Sequence, residues 1–408
     1  MVTSGHRLAG KRAGMVVFSL YPFDPRPRRA AEALLKEGMS VDFICEGDGR
    51  SPKRETLDGL EIVRIPIQHR RGGALSYAYQ YSAFILISAA ILARRSLRGR
   101  YDLVYVHNMP DVLVISALLP KWLGAKVILD QHDPMPELMT TIFNMDEKTF
   151  GVRVIRRLEK WSMARADLVI TVNAACKRIF STRSCRTEKI GVVMNSPDEE
   201  IFSYRAVRSY PVRAAGQPFV IMYHGSLVER NGLDLAVDAL ARIHKTVPAA
   251  ELRVYGRSTP YLEQVMEKVH SLGLESNVHY LGAKSLEGLV HEIEACDVGI
   301  IPNHRNTFTE INTPTRIFEY LALGKPVIAP RTLGIEDYFD PDALLFFESG
   351  NAEELATRIA YAAFHTNEMT AIAERGQQVY LAHTWRQEKE TLISLVAGLL
   401  KVGKPKRT

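Results

Sequence analysis

Two stretches carry the residues best suited to chemistry. The first is 313–329, TPTRIFEYLALGKPVIA. Thr313 reads as an N-cap with Pro314 at the first helical position. Gly324 and Pro326 end the helix, and Lys325 sits where a cation complements the helix dipole. Val327, Ile328 and Ala329 then read as a buried parallel strand. Phe318, Leu321 and Ala322 form an apolar face at helical spacing, which leaves Glu319 near the core side. A carboxylate there needs partners, and the vicinal hydroxyls of a ribose would serve. A capped helix with a half-exposed acid is the equal alternative. The second stretch is a strand, FVIMY at 219–223, running into His224, Gly225 and Ser226, then Arg230, Asn231, Gly232 and a helical pattern over 233–243. Gly225 admits close backbone approach, the helix N–H groups face an anion, and Arg230 can pair with phosphate oxygens through its planar fork. The turn is neither a Walker loop nor a GxGxxG fingerprint, so it does not name its ligand. An ordinary βα turn with a surface arginine has the same pattern.

Together, in this order and separation, the two stretches resemble the C-terminal half of nucleotide-sugar-dependent glycosyltransferases of family 4. LRVYG at 252–256, VHYLG at 278–282, ACDVGIIP at 295–302 and HTW at 383–385 fit the same pattern. Thr384 and Gln387 make a capping box before the last helix. The resemblance covers almost the whole chain. It implies an α/β protein of the GT-B fold, two Rossmann-like domains facing across a cleft with a C-terminal helix crossing back to the first. The expected bounds are an acceptor domain at 1–203, a linker at 204–217, a donor domain at 218–384, and a helix with a basic tail at 385–408.

The resemblance also implies site residues. Gly225, Arg230 and Asn231 would meet the donor phosphates, with Arg316 adding charge. Gly256 and Leu281 would follow on the next two strands, where the base is held by backbone groups, and Glu319 would hold the ribose. The family pattern has a glutamate eight residues before Glu319, but this chain has Ile311 there. Glu310, one residue off, is expected to be presented to the sugar by an altered loop. Asn312 with N–H groups near Thr313 and Thr315 is the alternative. Ser226 and Asn231 stand where the family carries arginine and lysine.

The N-terminal half supplies LDQHDP at 129–134, just past a strand end, where open α/β sheets place ligands. His132 matches the family histidine close to the donor sugar, so it would hydrogen-bond the sugar. Asp133 would orient its ring or contact the acceptor. A histidine satisfying a loop backbone is the plainer reading. Arg26, His107, Asn108 and Asp111 are expected on the acceptor side. His107, His132 and Asp133 lack a clear third metal ligand, and Asp340-Pro341-Asp342 reads as a solvated turn. No metal or cofactor is expected, since arginine and a helix N-terminus can stabilise the departing diphosphate. The implied reaction is transfer from a nucleotide diphosphate sugar to a hydroxyl of a glycan or lipid-linked acceptor, with retention and after domain closure. A nucleotide-sugar 2-epimerase of the same fold and an inactive nucleotide-sugar-binding subunit remain as alternatives.

Composition agrees. The chain has 408 residues, 46% of them hydrophobic, enough for two cores. Cys45, Cys176, Cys185 and Cys296 are scattered without a CxxC, which points to a reducing, cytoplasmic setting. The N-terminus shows no apolar signal-peptide core. The first hundred residues hold 17 Lys and Arg against 9 Asp and Glu, although the whole chain is only +6. The excess sits at Arg26, Arg28 and Arg29, at Arg70 and Arg71, and at Arg94, Arg95, Arg98 and Arg100. Between the last two clusters lies the apolar run 83–93, too short to span a bilayer. It reads as a buried crossover helix with a wet basic end, or as part of a face resting on an anionic membrane. No nucleic-acid module is recognisable. Strands are expected at 15–20, 41–45, 103–106, 126–129, 168–172 and 190–194 in the first half. Helices are expected from 28 and over 152–165, and residues 1–13 read as a loose tail.

Overall fold

The computed structural model describes residues 6–68, 74–143, 145–208 and 216–401. The chain divides into two compact units, Met1–Met194 with Glu388–Thr408, and Asn195–Gln387.

The first unit holds β1 (Arg12–Leu20), β2 (Ser40–Glu46), β3 (Arg54–Leu57), β4 (Leu60–Ile65), β5 (Leu103–His107), β6 (Lys126–Gln131), β7 (Leu168–Thr171) and β8 (Ile190–Val192). They form one sheet in the order β3-β4-β2-β1-β5-β6-β7-β8. Every pairing is parallel except the β3–β4 hairpin at the edge. The inner strands are near-continuous apolar runs because helices cover both faces of a parallel sheet. The β3–β4 hairpin is absent from the sequence reading: RETL has no alternating apolar pattern and lies largely exposed. The helix Pro25–Lys36 starts three residues earlier than expected, capped by Asp24, whose side chain accepts from the Arg26 N–H. The expected loose tail is partly structured. Leu8 is buried, Arg7 pairs with Glu390 at 2.6 Å, and residues 12 and 13 belong to β1.

The second unit holds β9 (Phe219–His224), β10 (Ala250–Tyr255), β11 (Val278–Tyr280), β12 (Val298–Ile300), β13 (Val327–Arg331) and β14 (Leu345–Glu348). All pairings are parallel, in the order β11-β10-β9-β12-β13-β14. This is the doubly wound order whose direction reverses at the centre, here between β9 and β12. The first sheet reverses in the same way between β1 and β5. Crossover helices leave opposite faces on either side of such a point, so a crevice opens at the strand carboxyl ends.

The change of unit comes at Met194, ahead of the segment 204–217 expected as a linker. Phe202 is already buried, and the Arg205 N–H donates to the Ala322 carbonyl at 2.7 Å, both within the second unit. Residues 209–215 of that segment lie outside the described ones, as do Arg70 and Arg71. The last helix, Trp385–Lys401, rejoins the first unit, where Glu388 accepts from the Met194 N–H at 2.8 Å.

Candidate active site

In the second unit the site forms at the β9/β12 reversal. The β9 strand delivers His224 and Gly225, the latter with φ +123°. Helix Leu233–Ile243 begins where expected, entered through Gly232 at φ +67°. A Cβ on Gly232 would lie 1.9 Å from the Pro302 carbonyl oxygen, so the turn after β9 and the turn after β12 touch through a residue that must be glycine. Gly256, at the end of the neighbouring β10, is equally confined: a Cβ there would lie 2.3 Å from the Gly225 carbonyl oxygen.

The second helix, Thr315–Ala322, starts one residue later than expected. Pro314 is the N-cap and makes no side-chain cap bond. Thr313 is buried and its hydroxyl donates to the Gly334 carbonyl, so that side chain braces the loop and is not open to a ligand. The first-turn N–H groups, beginning at Thr315, have no side-chain cap and remain the anion-facing end. Arg316 lies beneath the Gly225 turn. It donates to the His224 carbonyl at 2.7 Å and to Asn303 Oδ1 at 3.3 Å, and its guanidinium stacks over the Tyr223 ring at 4.9 Å. Arg230 is half-buried beside Phe308, with its guanidinium 5.9 Å from that ring. Asn231 spends its amide on the Ser226 carbonyl at 2.8 Å, so it shapes the turn.

Glu319 is mostly buried, 16% exposed, with Oε2 3.4 Å from His224 Nε2. Burial, reinforced by Arg316, lowers the His224 pKa to about 3, so this ring is neutral near pH 7. Ile311 is buried. Glu310 accepts from Arg305 at 3.0 Å and from the Leu333 N–H at 3.3 Å, so the acid expected at the sugar holds its own loop together. Asn312 is half-buried on the same loop. Leu281 presents an exposed side chain while its N–H donates to the Val254 carbonyl at 2.9 Å. Lys325 donates to the Cys296 carbonyl at 2.7 Å, and Asp340-Pro341-Asp342 is an exposed turn with Asp342 against Arg375.

In the first unit a cavity of about 460 Å³ opens at the carboxyl ends of β1, β2, β5 and β6. Ser19, Asp24, Glu46, Tyr81, Asn108, His132 and Asp133 are among its lining residues. His132 therefore does face a ligand-sized space. Of the residues expected beside it, Asn108 and Asp133 also line this cavity, while Arg26, His107 and Asp111 do not. His107, Asn108 and Asp111 are all buried. Asn108 pins the two loops together, donating to Asp133 O at 2.6 Å and Asp111 Oδ1 at 3.2 Å while its Oδ1 accepts from the His132 N–H at 3.3 Å. Burial, with Glu159 adding to it, pushes the Asp111 carboxyl up to about 7. Arg26 is directed inward, with its guanidinium against Asp130 at 2.8 Å and donating to the Val193 carbonyl at 2.9 Å. Asp133 is not the carboxylate nearest the His132 ring in the ion-pair geometry; that place belongs to Asp130, 4.0 Å from Nδ1.

Two family models match. "Glycosyl transferases group 1" covers 211–379, and "Glycosyl transferase 4-like domain" covers 24–196, together most of the chain. The chain is a family 4 glycosyltransferase. It is 25% identical to the putative colanic acid biosynthesis glycosyltransferase WcaL of Escherichia coli, over 58% of this chain and 57% of that protein. It is 23% identical to a D-inositol 3-phosphate glycosyltransferase of Saccharomonospora viridis, over 90% of this chain and 86% of that one. Sucrose-phosphate synthase from Thermosynechococcus elongatus superposes with a TM-score of 0.77, at 17% identity, covering 96% of this chain and all of that one. Anabaena HepE in complex with UDP-glucose gives 0.70, at 16% identity, covering 95% and 99%. The glycosyltransferase therefore has the GT-B fold.

Sequence reasoning passes over two buried residues that lie against the candidate site residues of this glycosyltransferase, Asp130 beside His132 and His224 beside Glu319. Asp130 is hidden in the apolar strand β6, where an acid is itself the signal: a charge inside a buried run needs partners. His224 ends β9 one residue before the glycine turn, and a lone histidine there gives a weaker signal than the nearby Arg230.

Proposed function

We propose that this glycosyltransferase moves a hexose from a nucleoside diphosphate sugar to a hydroxyl of a glycan or lipid-linked acceptor, with retention of configuration and no metal requirement. The observation that carries the donor reading is Glu319 held at the β9/β12 reversal beside the Gly225 turn and its underlying Arg316. A fixed cation and a carboxylate three residues apart near the N-terminus of one helix suit a diphosphate and a ribose. The sugar would meet Asn312 and the first N–H groups of the 315–322 helix, and the family resemblance gives His132 a hydrogen bond to a sugar hydroxyl. Arginine and helix N–H groups then stabilise the leaving diphosphate. HepE is described with UDP-glucose, and WcaL and the Pseudomonas aeruginosa protein WbjE by name with glycosyl transfer, which makes UDP-sugars and polysaccharide acceptors the first to try.

The acceptor side also favours an anionic membrane surface. No described helix is long and apolar enough to cross a membrane. Helix Ala74–Arg98 buries Phe84, Ile85 and Leu92 but exposes Tyr79, Leu86 and Leu97, and Trp122 on Leu118–Trp122 is 82% exposed. Arg94, Arg98 and Arg100 stand exposed nearby in sequence. Arg26, Arg29 and Arg95 do not add to that face: the first two are largely buried, and Arg95 pairs with Asp42.

The deciding experiment is thermal stabilisation of the purified protein by UDP, GDP, ADP, CMP and their sugars without added metal. A selective shift from one nucleoside diphosphate, lost in Glu319→Ala, supports the reading. No shift from any of them, in folded protein, would favour the inactive subunit. Interconversion of a UDP-sugar without acceptor would favour the epimerase.

A further inference from the structure

We propose that Asp130 is a positioning residue that keeps the His132 imidazole protonated on Nδ1, so that Nε2 serves as a hydrogen-bond acceptor for a sugar hydroxyl. This rests on the reading of His132 as the ring that meets the sugar. The Asp130 side chain is 1% exposed and is held from several sides. Arg26 Nε lies 3.0 Å from both of its oxygens, Arg26 Nη2 lies 2.8 Å from Oδ1, and the Tyr105 hydroxyl donates to Oδ2 at 2.9 Å. The carboxylate is thus fixed before any ligand arrives.

His132 Nδ1 is buried without a hydrogen-bond partner and lies 4.0 Å from Asp130 Oδ1. A lone pair facing that carboxylate would be repelled, whereas an N–H facing it is attracted. The partner of one ring nitrogen sets the tautomer, which leaves the other as acceptor. His107 does not substitute for it. Its ring is fully buried and stacked 4.7 Å from Tyr105, and Nδ1 lies 3.5 Å from Oδ2, on the far oxygen. Burial holds His107 neutral; burial also opposes ionisation of Asp130, but its surroundings, Arg26 foremost, bring the carboxyl below the usual carboxylate value.

The ligand atoms of His107, Asp130 and His132 also lie within 4.8 Å of one another, the spacing of a metal site. The charge balance counts against a divalent ion. Arg26 already neutralises Asp130, and a second cation in this buried space would face it without a counter-charge.

The test is long-range ¹H–¹⁵N correlation of the imidazoles in the full chain without ligand, near pH 8. The His132 ring is assigned by the signal missing in His132→Gln. The Nδ1–H pattern is expected in the wild type. It should be lost in Asp130→Leu and in the double variant Arg26→Met/Asp130→Leu, which leaves no unpaired buried charge and keeps the test available if the single variant does not fold. In the folded variant kcat should fall about 10- to 100-fold, as for other residues that orient a working group, while UDP-induced stabilisation is unchanged. An Nε2–H pattern in the wild type, or an unchanged pattern in a folded variant, overturns the proposal. Absence of transfer by the wild type would count against the function, and the tautomer result would still decide this point.

Discussion

Glu319 Oε2 lies 3.4 Å from Nε2 of His224, across the point where the second sheet reverses direction. The acid comes from a helix after β12 and the imidazole from the end of β9, so the contact exists only because those strands are neighbours. Because burial holds His224 neutral, the pair is not an ion pair. Glu319→Ala should raise the Kd for the nucleoside diphosphate about 10- to 100-fold, the equivalent of losing charge-assisted hydrogen bonds to ribose. Isothermal titration with the preferred nucleotide measures this, and a change below about twofold would remove Glu319 from the donor site.

Glu310 should prove dispensable for chemistry. Its oxygens accept from Arg305 and from the Leu333 N–H. Glu310→Gln retains an acceptor for the N–H, so transfer is expected to stay within about threefold of wild type, with a small loss of stability from an exposed ion pair. A drop in kcat of a hundredfold or more, without unfolding, would return this acid to the sugar.

Gly232→Ala should damage both the second unit and donor binding. The left-handed backbone alone costs a non-glycine residue about 1–3 kcal/mol, and the new methyl would press on the Pro302 carbonyl. Urea denaturation with and without nucleotide separates the two losses. Gly273→Ala has a similar backbone, φ +66°, but nothing within 4 Å of the added atom, so it isolates the strain from the clash.

Arg183 tests how the His132 loop is held. The helix Met135–Phe143 follows that loop, and its Glu137 pairs with Arg183 at 2.5 Å. Arg183 also pairs at 2.6 Å with Glu159, whose side chain is fully buried. Arg183→Met leaves two acids facing an apolar group, and should cost about 3–5 kcal/mol, the usual penalty for breaking a buried pair. Equilibrium denaturation reads it, and a cost under about 1 kcal/mol would show that the acids relax to water.

Stability in the second unit should carry a pH signature from Asp234 and His304. The His304 Nε2 lies 2.9 Å from Asp234 Oδ1, and the Tyr261 hydroxyl donates to the same oxygen. The Asp234 hydrogen bond raises the His304 pKa. Burial opposes ionisation of Asp234, but bonds from His304 and Tyr261 outweigh it and bring the carboxyl to about 2. The histidine's contribution is full below its unfolded pKa of about 6.5 and is lost as pH rises through the raised folded value. The aspartate's contribution is full above about 3.9 and is lost as pH falls toward 2. The Tm gap between wild type and His304→Gln should therefore be widest between about pH 4 and 6.5 and shrink at pH 9. A gap that grows with pH would contradict the pairing.

Legible in the sequence alone were the two-unit α/β plan, the helix 233–243 and the glycine end of helix 315–322. These are local facts: apolar runs, capping residues and glycines act within a few residues of themselves. Even there the caps slipped by one, because Thr313 found the Gly334 carbonyl, a partner 21 residues away. Which polar groups line a cavity and which are spent inside the fold came from the tertiary arrangement. His107 stands at the strand end expected of a site, yet the sheet order places β5 against β6 and turns it inward onto Asp130, which also takes Arg26. Glu310 and Asn231 were likewise taken up by their own turns. A buried charge takes the nearest compensating partner in space, and spatial neighbours come from strand order, which no window of sequence contains.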